Sequence, residues 1–515
     1  MPTTPFNPSR KSLVYALLVV PIAVAVSGGT VQAATTFTVH LPLIVMDPPS
    51  LTPPSHELID RALASGAIDA ETALIYKVYA TFGDPRLPFQ YRGDDRLVED
   101  TRVLVQLVVE FDSLSPPTQA LLAPFLLPPS APGSWLELRE GAMGSGAVTA
   151  AAVEWHSIST LNGKVKVWYE QRYTDTGMDD VKATGLVHAL DSLIWDKLTG
   201  LMGREPLSDI GQPNNGGDGK LDIYLVHIGD RGVTSPHLAC DNSPVHILVN
   251  SDRPLGDART PGIIQTTAHE LMHAIQFTYD VAEACSEYDW WAEASAKWAE
   301  DYVYPLANGE QPYAPPFLDS PELPLENMSD NRHYGAYLLP FYLDRSLEGP
   351  GVVRQIWEND TASDSLTAIN DAVAGGFEET WPEFVVRNWN RPPVDDYKTW
   401  DELTAGAEPV LNSAIDVKLY GAPDGRFTMV TAARVEHLSA LYYDYEFPDD
   451  NVRSVTFYNG FTFKLSWRQV TEAEAGAASG QTIAWTALPP EQIKGARVQA
   501  LVKIAGSATW EPVQD

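Results

Sequence analysis

The sequence predicts an α+β fold with a helical N-terminal region and a β-rich C-terminal domain. Apolar residues recur three and four positions apart over residues 55–127 and again over residues 289–390, which is the spacing of helices with one buried face. Three short segments between these blocks have the apolar composition of strands: residues 165–169, 221–226 and 245–249. Beyond residue 392, short strand-like segments separated by turn residues indicate a β-sandwich.

The N-terminus has the composition of an export signal. A basic pair that ends at Lys11 precedes an apolar run over residues 13–26, and small residues then offer a cleavage point before Ala34. The alternative is a single membrane anchor, but the run is short and Pro21 interrupts it. We therefore expect a secreted or extracytoplasmic protein without stable membrane insertion after signal cleavage; association with the cell surface stays open.

Changes in composition then divide the chain into segments. The N-terminal helical block ends at a Pro- and Gly-rich run over residues 128–133. This block is either a prosegment that covers a cleft until it is removed or a permanent helical domain, and the sequence leaves both open. The predicted organisation is a signal peptide (1–33), a linker (34–54), a helical N-terminal region (55–149), a central α+β domain (150–400) and a β-rich C-terminal domain (401–515).

The charge of the chain excludes one class of partner. The chain has 35 Lys and Arg against 68 Asp and Glu, a formal net charge of −33. Such a chain would repel a phosphate backbone unless it had a basic patch, and no patch is visible in the sequence. We therefore expect no nucleic-acid partner, while the oligomeric state stays open.

Two cysteines are present, Cys240 and Cys285. In an exported protein a single pair is more often bonded than free. The sequence has no Cys-x-x-Cys spacing, which argues against a zinc site built from cysteine. We therefore predict a Cys240–Cys285 disulfide.

A polar, glycine-rich loop over residues 214–222 has the composition of a calcium site. Asn214, Asp218 and Asp222 offer oxygen ligands on a tightly turning backbone, which is what Ca²⁺ prefers. A tight polar turn would have the same composition, and the spacing differs from the twelve-residue helix-loop-helix pattern. Calcium and a simple turn therefore stay as alternatives for this loop.

The strongest functional signal is the pattern His-Glu-x-x-His formed by His269, Glu270 and His273. On a helix the two histidines lie on the same side and are able to share one zinc ion, while Glu270 is close enough to contact a water bound to that metal. Apolar residues cluster on the opposite side of the predicted helix. We therefore expect the apolar side to face the core and the ligand side to face a cleft.

A catalytic zinc needs a third protein ligand from elsewhere in the chain. One large group of zinc peptidases has a glycine and a histidine at positions that here hold Gln276 and Tyr279, which excludes that group. The predicted helix over residues 290–301 supplies Glu293, 20 positions after the second histidine. Glu300 is the alternative ligand, and otherwise a carboxylate that accepts a proton from a liganding histidine.

This combination resembles the gluzincin clan of thermolysin-like zinc metallopeptidases, in which a glutamate on a second helix follows His-Glu-x-x-His after about 20 residues or more. The resemblance covers about residues 160–345. It implies a zincin-like metallopeptidase domain over residues 150–400 that binds Zn²⁺ through His269, His273 and Glu293. It also implies that Glu270 is the general base for a zinc-activated water. The sequence departs from thermolysin at Ala292, where that enzyme has an asparagine.

Peptide hydrolysis also needs a donor for the developing oxyanion besides zinc. In the gluzincin clan this donor is often a downstream tyrosine or histidine, and Tyr334 is our first candidate and His333 our second. A buried structural tyrosine would look the same. The strand over residues 245–249 is the expected edge on which an extended peptide docks by backbone hydrogen bonds.

The sequence therefore indicates a secreted zinc metallopeptidase that acts on a protein or peptide substrate. The alternative from another class is an exported adhesion or binding protein whose metallopeptidase-like domain is catalytically idle. The intact set of ligands and base favours the enzyme. Cleavage preference, endopeptidase or exopeptidase action, and the role of the C-terminal domain stay open.

Overall fold

The computed structural model describes residues 53–143, 153–170, 178–238, 242–346, 348–390, 395–403 and 437–446, together with short strands within 420–428, 464–486 and 501–512. The predicted signal peptide, nearly all of the linker and Cys240 lie outside the described residues. No helix in the described part of the chain is long and apolar enough to cross a membrane. Cys285 is not a free thiol, and its predicted bridge to Cys240 stays a prediction.

Five helices form the N-terminal region: α1 (Ser55–Ala64), α2 (Ala70–Thr81), α3 (Arg102–Glu110), α4 (Pro116–Leu122) and α5 (Trp135–Met143). The spacing of apolar residues predicts a helix over about residues 95–111, but α3 begins only at Arg102. Asp95 is engaged elsewhere, because its carboxylate accepts hydrogen bonds from the backbone N–H (2.7 Å) and the hydroxyl (2.6 Å) of Ser55 at the start of α1. A turn in which Val98 N donates to Asp95 O at 3.0 Å therefore precedes α3 in place of a longer helix.

The central part alternates strands and helices. Its elements are β1 (Trp155–Ser159), β2 (Val165–Glu170), α6 (Met178–Ala189), α7 (Trp195–Met202), β3 (Leu221–Val226), β4 (Gly232–Pro236), β5 (Val245–Asn250), α8 (Ile263–Gln276) and α9 (Cys285–Val303). A π-helical turn, Leu190–Ile194, joins α6 to α7. The motif helix α8 and the predicted ligand helix α9 follow the sheet directly.

Helices continue to residue 401, and short strands follow. The elements are α10 (Ala314–Leu318), α11 (Arg332–Gly335), α12 (Leu338–Arg345), α13 (Gly351–Asn359), α14 (Ser365–Ala372), α15 (Gly376–Arg387), α16 (Asp396–Asp401), β6 (Tyr420–Gly421), β7 (Phe427–Thr428), β8 (Ala440–Glu446), β9 (Lys464–Gln469), β10 (Gly480–Thr486), β11 (Leu501–Val502) and β12 (Glu511–Pro512). Three of the last strands form an antiparallel sheet in the order β8-β10-β9. The rest of the predicted β-sandwich lies largely outside the described residues.

A five-stranded mixed sheet with the order β1-β2-β3-β5-β4 supports the motif helix. Strands β2, β3 and β5 are parallel to one another, whereas β1 and β4 run antiparallel at the two edges. The prediction that β5 is an edge strand is therefore wrong, because β5 pairs with a neighbour on each side. The edge nearest the motif helix is β4, whose short Gly-Val-Thr-Ser-Pro sequence carries no strong strand signal.

Helices cover both faces of this sheet, and the combination of many helices with one mixed sheet agrees with the predicted α+β class. One face packs on α6 to α9 in the larger apolar core. The other face contributes Tyr224, Val226, Val233 and Leu248 to a second core that is otherwise built by the N-terminal helices. The N-terminal region is thus a layer of the fold, and its removal would expose apolar side chains of three strands.

Candidate metal centre

The motif helix α8 lies between the sheet and α9. All fourteen of its residues are buried, and His269, Glu270 and Glu293 are 0 % exposed. The expectation that the ligand side of α8 faces an open cleft therefore holds only in part, because His273 and Gln276 line a pocket whereas His269 and Glu270 are fully covered. The cover consists of α9 and of residues 98–101, which precede α3 and are called the covering segment below.

Three candidate ligand atoms from α8 and α9 converge on one point. His269 Nε2 and His273 Nε2 are 3.1 Å apart, and each lies 3.4 Å from Glu293 Oε2. Ligand atoms of a tetrahedral site with bonds of about 2.0–2.1 Å lie roughly 3.3–3.4 Å from one another. The arrangement therefore has the dimensions of a zinc site.

Glu293 also has the polar surroundings expected of a metal ligand. Its side chain is buried, and neither carboxylate oxygen accepts a hydrogen bond from any described residue. A buried carboxylate is stable only when a cation or several donors compensate its charge. The two imidazoles and this carboxylate together fit one bound metal ion.

A glutamine fixes the orientation of His273. His273 Nδ1 lies 2.7 Å from Gln276 Oε1, and the Gln276 amide nitrogen donates to Ala292 O and to Ser295 Oγ, both at 3.1 Å, on α9. Because the glutamine oxygen accepts, Nδ1 is the donor in this contact, and Nε2 is the ring nitrogen that faces Glu293 Oε2. Gln276 also ties α8 to α9 where the ligands meet.

Glu293 and Glu300, the two alternative ligands, lie at different nitrogens of the His269 ring. Its Nε2 faces Glu293 Oε2, whereas its Nδ1 faces Glu300 Oε1 at 3.5 Å. Glu300 therefore lies on the far side of the ring from His273, at the position of a carboxylate that accepts the Nδ1 proton. The geometry brings Glu293, and not Glu300, next to both Nε2 atoms.

The electrostatics of the three groups favour a positive charge between them. Burial acts to lower the pKa of His269, but the Glu293 and Glu300 carboxylates outweigh it and raise that pKa to about 10. Burial acts to raise the pKa of Glu293, but His273 and His269 outweigh it and lower that pKa to about 2. A metal ion that binds here would displace a proton from His269.

Glu270 is held beside the three ligands with one oxygen free. Its Oε2 accepts hydrogen bonds from Thr234 Oγ1 at 2.7 Å and from Thr101 Oγ1 at 3.3 Å, while its Oε1 has no partner among the described residues. Gly232 leaves room for this carboxylate, because an added Cβ would lie 2.7 Å from Oε1. Burial raises the pKa of Glu270 to about 7.

The covering segment occupies the open edge of β4. Arg231 N, just before the strand, donates to Val98 O at 2.8 Å, and Thr234 N donates to Thr101 Oγ1 at 3.0 Å. Thr101 thus contacts both the edge strand and Glu270. An extended peptide cannot add to this edge while the covering segment stays in place.

The covering segment is anchored by Glu99, a residue for which the sequence has no recognisable signal. Glu99 is 0 % exposed and forms ion pairs with Lys297 on α9 and with Arg231, and its Oε1 accepts from Thr266 Oγ1 on α8 at 3.0 Å. Lys297 also pairs with Glu300. Glu99 precedes Lys297 by 198 positions, so only the folded chain brings them together.

We expect Glu99→Gln to lower the free energy of unfolding by about 3–5 kcal/mol, because two buried cations would then share one carboxylate, Glu300. Lys297→Met in the same chain removes one of those cations and should recover much of the loss. Urea unfolding of both single variants and the double variant measures the coupling. A loss below about 1 kcal/mol in Glu99→Gln, or no recovery in the double variant, would show that the network contributes little.

The structure distinguishes the two oxyanion-donor candidates. Tyr334 is fully buried, its hydroxyl accepts from Glu99 N at 3.3 Å, and burial followed by the nearby Glu293 carboxylate raises its pKa well above the usual value. It is therefore a neutral phenol with a proton to donate. Burial lowers the pKa of His333 to about 3, and its Nδ1 lies 3.2 Å from Met328 O. The single ring proton of His333 is therefore on Nδ1, which donates to Met328 O, so Nε2 has no proton to donate.

A pocket opens beside the candidate metal centre. His273 and Glu293 form part of its wall, together with Thr101 and Arg102 from the N-terminal region and Trp357 from α13. Apolar side chains make up much of the remaining lining. The pocket therefore leaves a small space next to His273 and Glu293.

In the predicted calcium loop, the two acidic side chains have protein partners among the described residues. Lys166 Nζ lies 2.6 Å and Lys220 Nζ 3.0 Å from Asp218 Oδ2, and the Trp168 indole N–H donates to Asp222 Oδ1 at 2.8 Å. Asn214 has a positive φ of 61°, as expected for a tight turn. The ammonium groups of Lys166 and Lys220 therefore compensate the Asp218 charge that a calcium ion was expected to compensate.

Comparison with models of known protein families finds none that matches this chain, and comparison with curated proteins finds no match. Any assignment of function therefore depends on the chemistry of the site itself. The relevant features are two Nε2 atoms and one unsatisfied carboxylate at ligand spacing, with the free oxygen of Glu270 beside them.

Proposed function

We propose that this protein is an exported zinc metallopeptidase of the gluzincin type. The observation that carries the proposal is the triangle of His269 Nε2, His273 Nε2 and Glu293 Oε2, whose sides are 3.1–3.4 Å. Those three residues would hold the zinc ion in a zincin-like domain. Bound zinc would supply Lewis acidity, which polarises a substrate carbonyl and makes a water molecule acidic near neutral pH.

Glu270 would be the general base and then the general acid. Thr234 and Thr101 hold one of its oxygens, so the other is free to take a proton from the attacking water. The same oxygen would then pass the proton to the departing amine. Thr234 is a positioning residue in this scheme, since it holds Glu270, whereas Thr101 holds Glu270 and also lines the pocket.

Tyr334 would donate a hydrogen bond to the oxyanion that develops on the substrate carbonyl. Its burial keeps the phenol protonated, and the Glu293 carboxylate is near enough to raise the pKa of Tyr334 further, which supports a position close to the proposed ligands. His333 is the weaker candidate, because its proton is engaged by Met328 O. Tyr334→Phe should therefore reduce kcat more than a substitution of His333 does.

The substrate class is a peptide or protein, taken up through the pocket next to His273. A group bound in this pocket would lie against Thr101, Arg102 and Glu293. The apolar lining favours an apolar side chain in the pocket.

Removal of zinc should abolish hydrolysis of a peptide library, and added Zn²⁺ should restore it. The full chain is treated with 1,10-phenanthroline, which prefers transition metals, and is then supplied with Zn²⁺, Mg²⁺ or Ca²⁺. We expect a fall of at least about 100-fold and recovery with Zn²⁺ but with neither of the other ions. Hydrolysis that resists the chelator would contradict the proposal. One bound zinc with no turnover would favour the alternative, an exported binding protein with an idle metallopeptidase-like domain.

A further inference from the structure

Three buried carboxylates meet near the C-terminal end of α9, beyond Glu293 along the helix. Asp301 on α9, Glu310 in the segment before α10 and Asp401 at the end of α16 each offer an oxygen within 4.8 Å of the others. Asp301 and Glu310 are 1 % exposed, and Asp401 is 7 % exposed. None of the three belongs to the candidate metal centre.

The described residues compensate these charges only in part. Arg345 forms an ion pair with Asp301 Oδ2 at 3.2 Å, and the Gln311 amide donates to Asp401 Oδ2 at 3.2 Å. Asp301 Oδ1 and Glu310 Oε1 are buried and accept no hydrogen bond from any described residue. Three carboxylates thus share one arginine; Glu310 also hydrogen-bonds to the Asp401 side chain, and two carboxylate oxygens stay without a partner among the described residues.

The groups that surround the cluster do not balance its charge. Asp344 and Glu300 add negative charge near it, whereas Lys197 adds a positive charge near Asp301. The Lys197 ammonium group is directed to Val303 O at 3.4 Å rather than to any of the three carboxylates. Protons or a divalent cation must therefore neutralise the cluster.

We propose that Asp301, Glu310 and Asp401 bind one structural Ca²⁺ ion. All three ligands are carboxylates, which hard cations prefer, and separations of up to 4.8 Å suit two oxygens on opposite sides of an ion with bonds of about 2.3–2.6 Å. Zn²⁺ would lack the imidazole or thiolate ligands that it prefers. Mg²⁺ requires shorter bonds and usually keeps several waters, for which this buried cluster is a poor match.

The ion would tie together three parts of the chain that are far apart in sequence. It would fix the C-terminal end of α9, the helix that also carries Glu293, to the segment before α10 and to the end of α16. The site would therefore stabilise the helix that presents a zinc ligand without touching the reacting atoms. The inference does not depend on peptidase activity.

Calcium binding to the full, zinc-loaded chain tests the proposal. After treatment with EGTA and repletion with zinc, Ca²⁺ is added while the unfolding midpoint is followed, and Tb³⁺ luminescence sensitised by nearby aromatic side chains reports the occupied site. We expect one bound ion per chain and a rise of about 3–6 °C at a large excess of Ca²⁺. Mg²⁺ at the same concentration should give a much smaller rise.

Glu310→Gln is the informative variant, because it removes a ligand charge and keeps the side-chain size. Without calcium it should be at least as stable as the parent, since one buried carboxylate is gone, so folding is not the obstacle. Its Ca²⁺ affinity should fall by more than about tenfold. Asp218→Asn is the matched control in the 214–222 loop and should leave the affinity unchanged.

No stabilisation of the parent by Ca²⁺, with the cluster neutralised by protons alone, would overturn the proposal. Loss of Ca²⁺ binding in Asp218→Asn with retention in Glu310→Gln would also overturn it and would assign the ion to the loop. Zinc content and peptide hydrolysis are measured on the same samples, so a failure here is distinguishable from a failure of the proposed enzymatic function.

Discussion

Replacing Glu270 by glutamine is expected to abolish peptide hydrolysis while the zinc content stays unchanged. Glutamine retains a side-chain oxygen that accepts from Thr234 and Thr101, so the local packing survives. The amide cannot take a proton from water, and the loss of general acid–base catalysis lowers kcat by about 10²–10⁴-fold. His269 and His273 keep their ligand atoms in this variant.

Hydrolysis rates and zinc content are measured on the same purified samples. Glu326→Gln is a suitable control, because Glu326 interacts with His437 away from the candidate metal centre. We expect this control to match the parent in both readouts. A Glu270→Gln protein that cleaves casein as fast as the parent would show that Glu270 is not the base.

Cutting the chain between the N-terminal layer and the sheet should leave the protein folded and associated. An inserted protease site within residues 144–152 separates α5 from β1. Burial of each large apolar side chain in the second core stabilises the fold by about 1.5–3 kcal/mol. The contacts between the N-terminal layer and the sheet together therefore stabilise the association by an amount comparable to the roughly 5–15 kcal/mol stability of a typical domain. The buried ion pairs of Glu99 with Lys297 and Arg231 add to this association.

Size-exclusion chromatography and the rate of hydrolysis before and after the cut distinguish the two interpretations of this region. For a permanent layer, both fragments elute together and the rate is unchanged. For a prosegment, the N-terminal fragment dissociates, the edge of β4 becomes free of Thr101, and the rate rises. Dissociation with a gain in activity would contradict our expectation. Insertion of an uncut linker of the same length controls for the insertion itself.

The parts of the site that lie on regular helices were predictable from sequence. His269, Glu270 and His273 are neighbours on one helix, so their relative positions follow from helical spacing alone. Glu293 on α9 was inferred from a family resemblance, and the structure brings its carboxylate to both histidines.

The parts that depend on long-range packing were not predictable. The residues before α3 show helical spacing of apolar side chains, yet α3 begins only after the covering segment, which hydrogen-bonds to Arg231 and Thr234 and inserts Glu99 between α8 and α9. Strand β4 is short and contains Gly232 and Pro236, so its local sequence favours a turn as much as a strand. Tertiary contacts decide both elements, and a single sequence does not reveal them.

The loop over residues 214–222 shows the limit of composition as a guide to metal sites. Its acidic residues have the right chemistry for calcium, but Lys166 from β2 reaches Asp218 across the sheet. Conversely, Asp301, Glu310 and Asp401 have no shared motif and meet only in the folded chain. Ligand type is visible in a sequence, whereas the charges that surround each ligand are not.

Anomalous diffraction at the zinc edge from crystals of the zinc-loaded protein tests the central claim most directly. We predict one strong peak within about 2.0–2.2 Å of His269 Nε2, His273 Nε2 and a carboxylate oxygen of Glu293. A peak on the other side of His269, between its Nδ1, Glu99 and Glu300, would contradict the assigned ligands, as would no peak at either position.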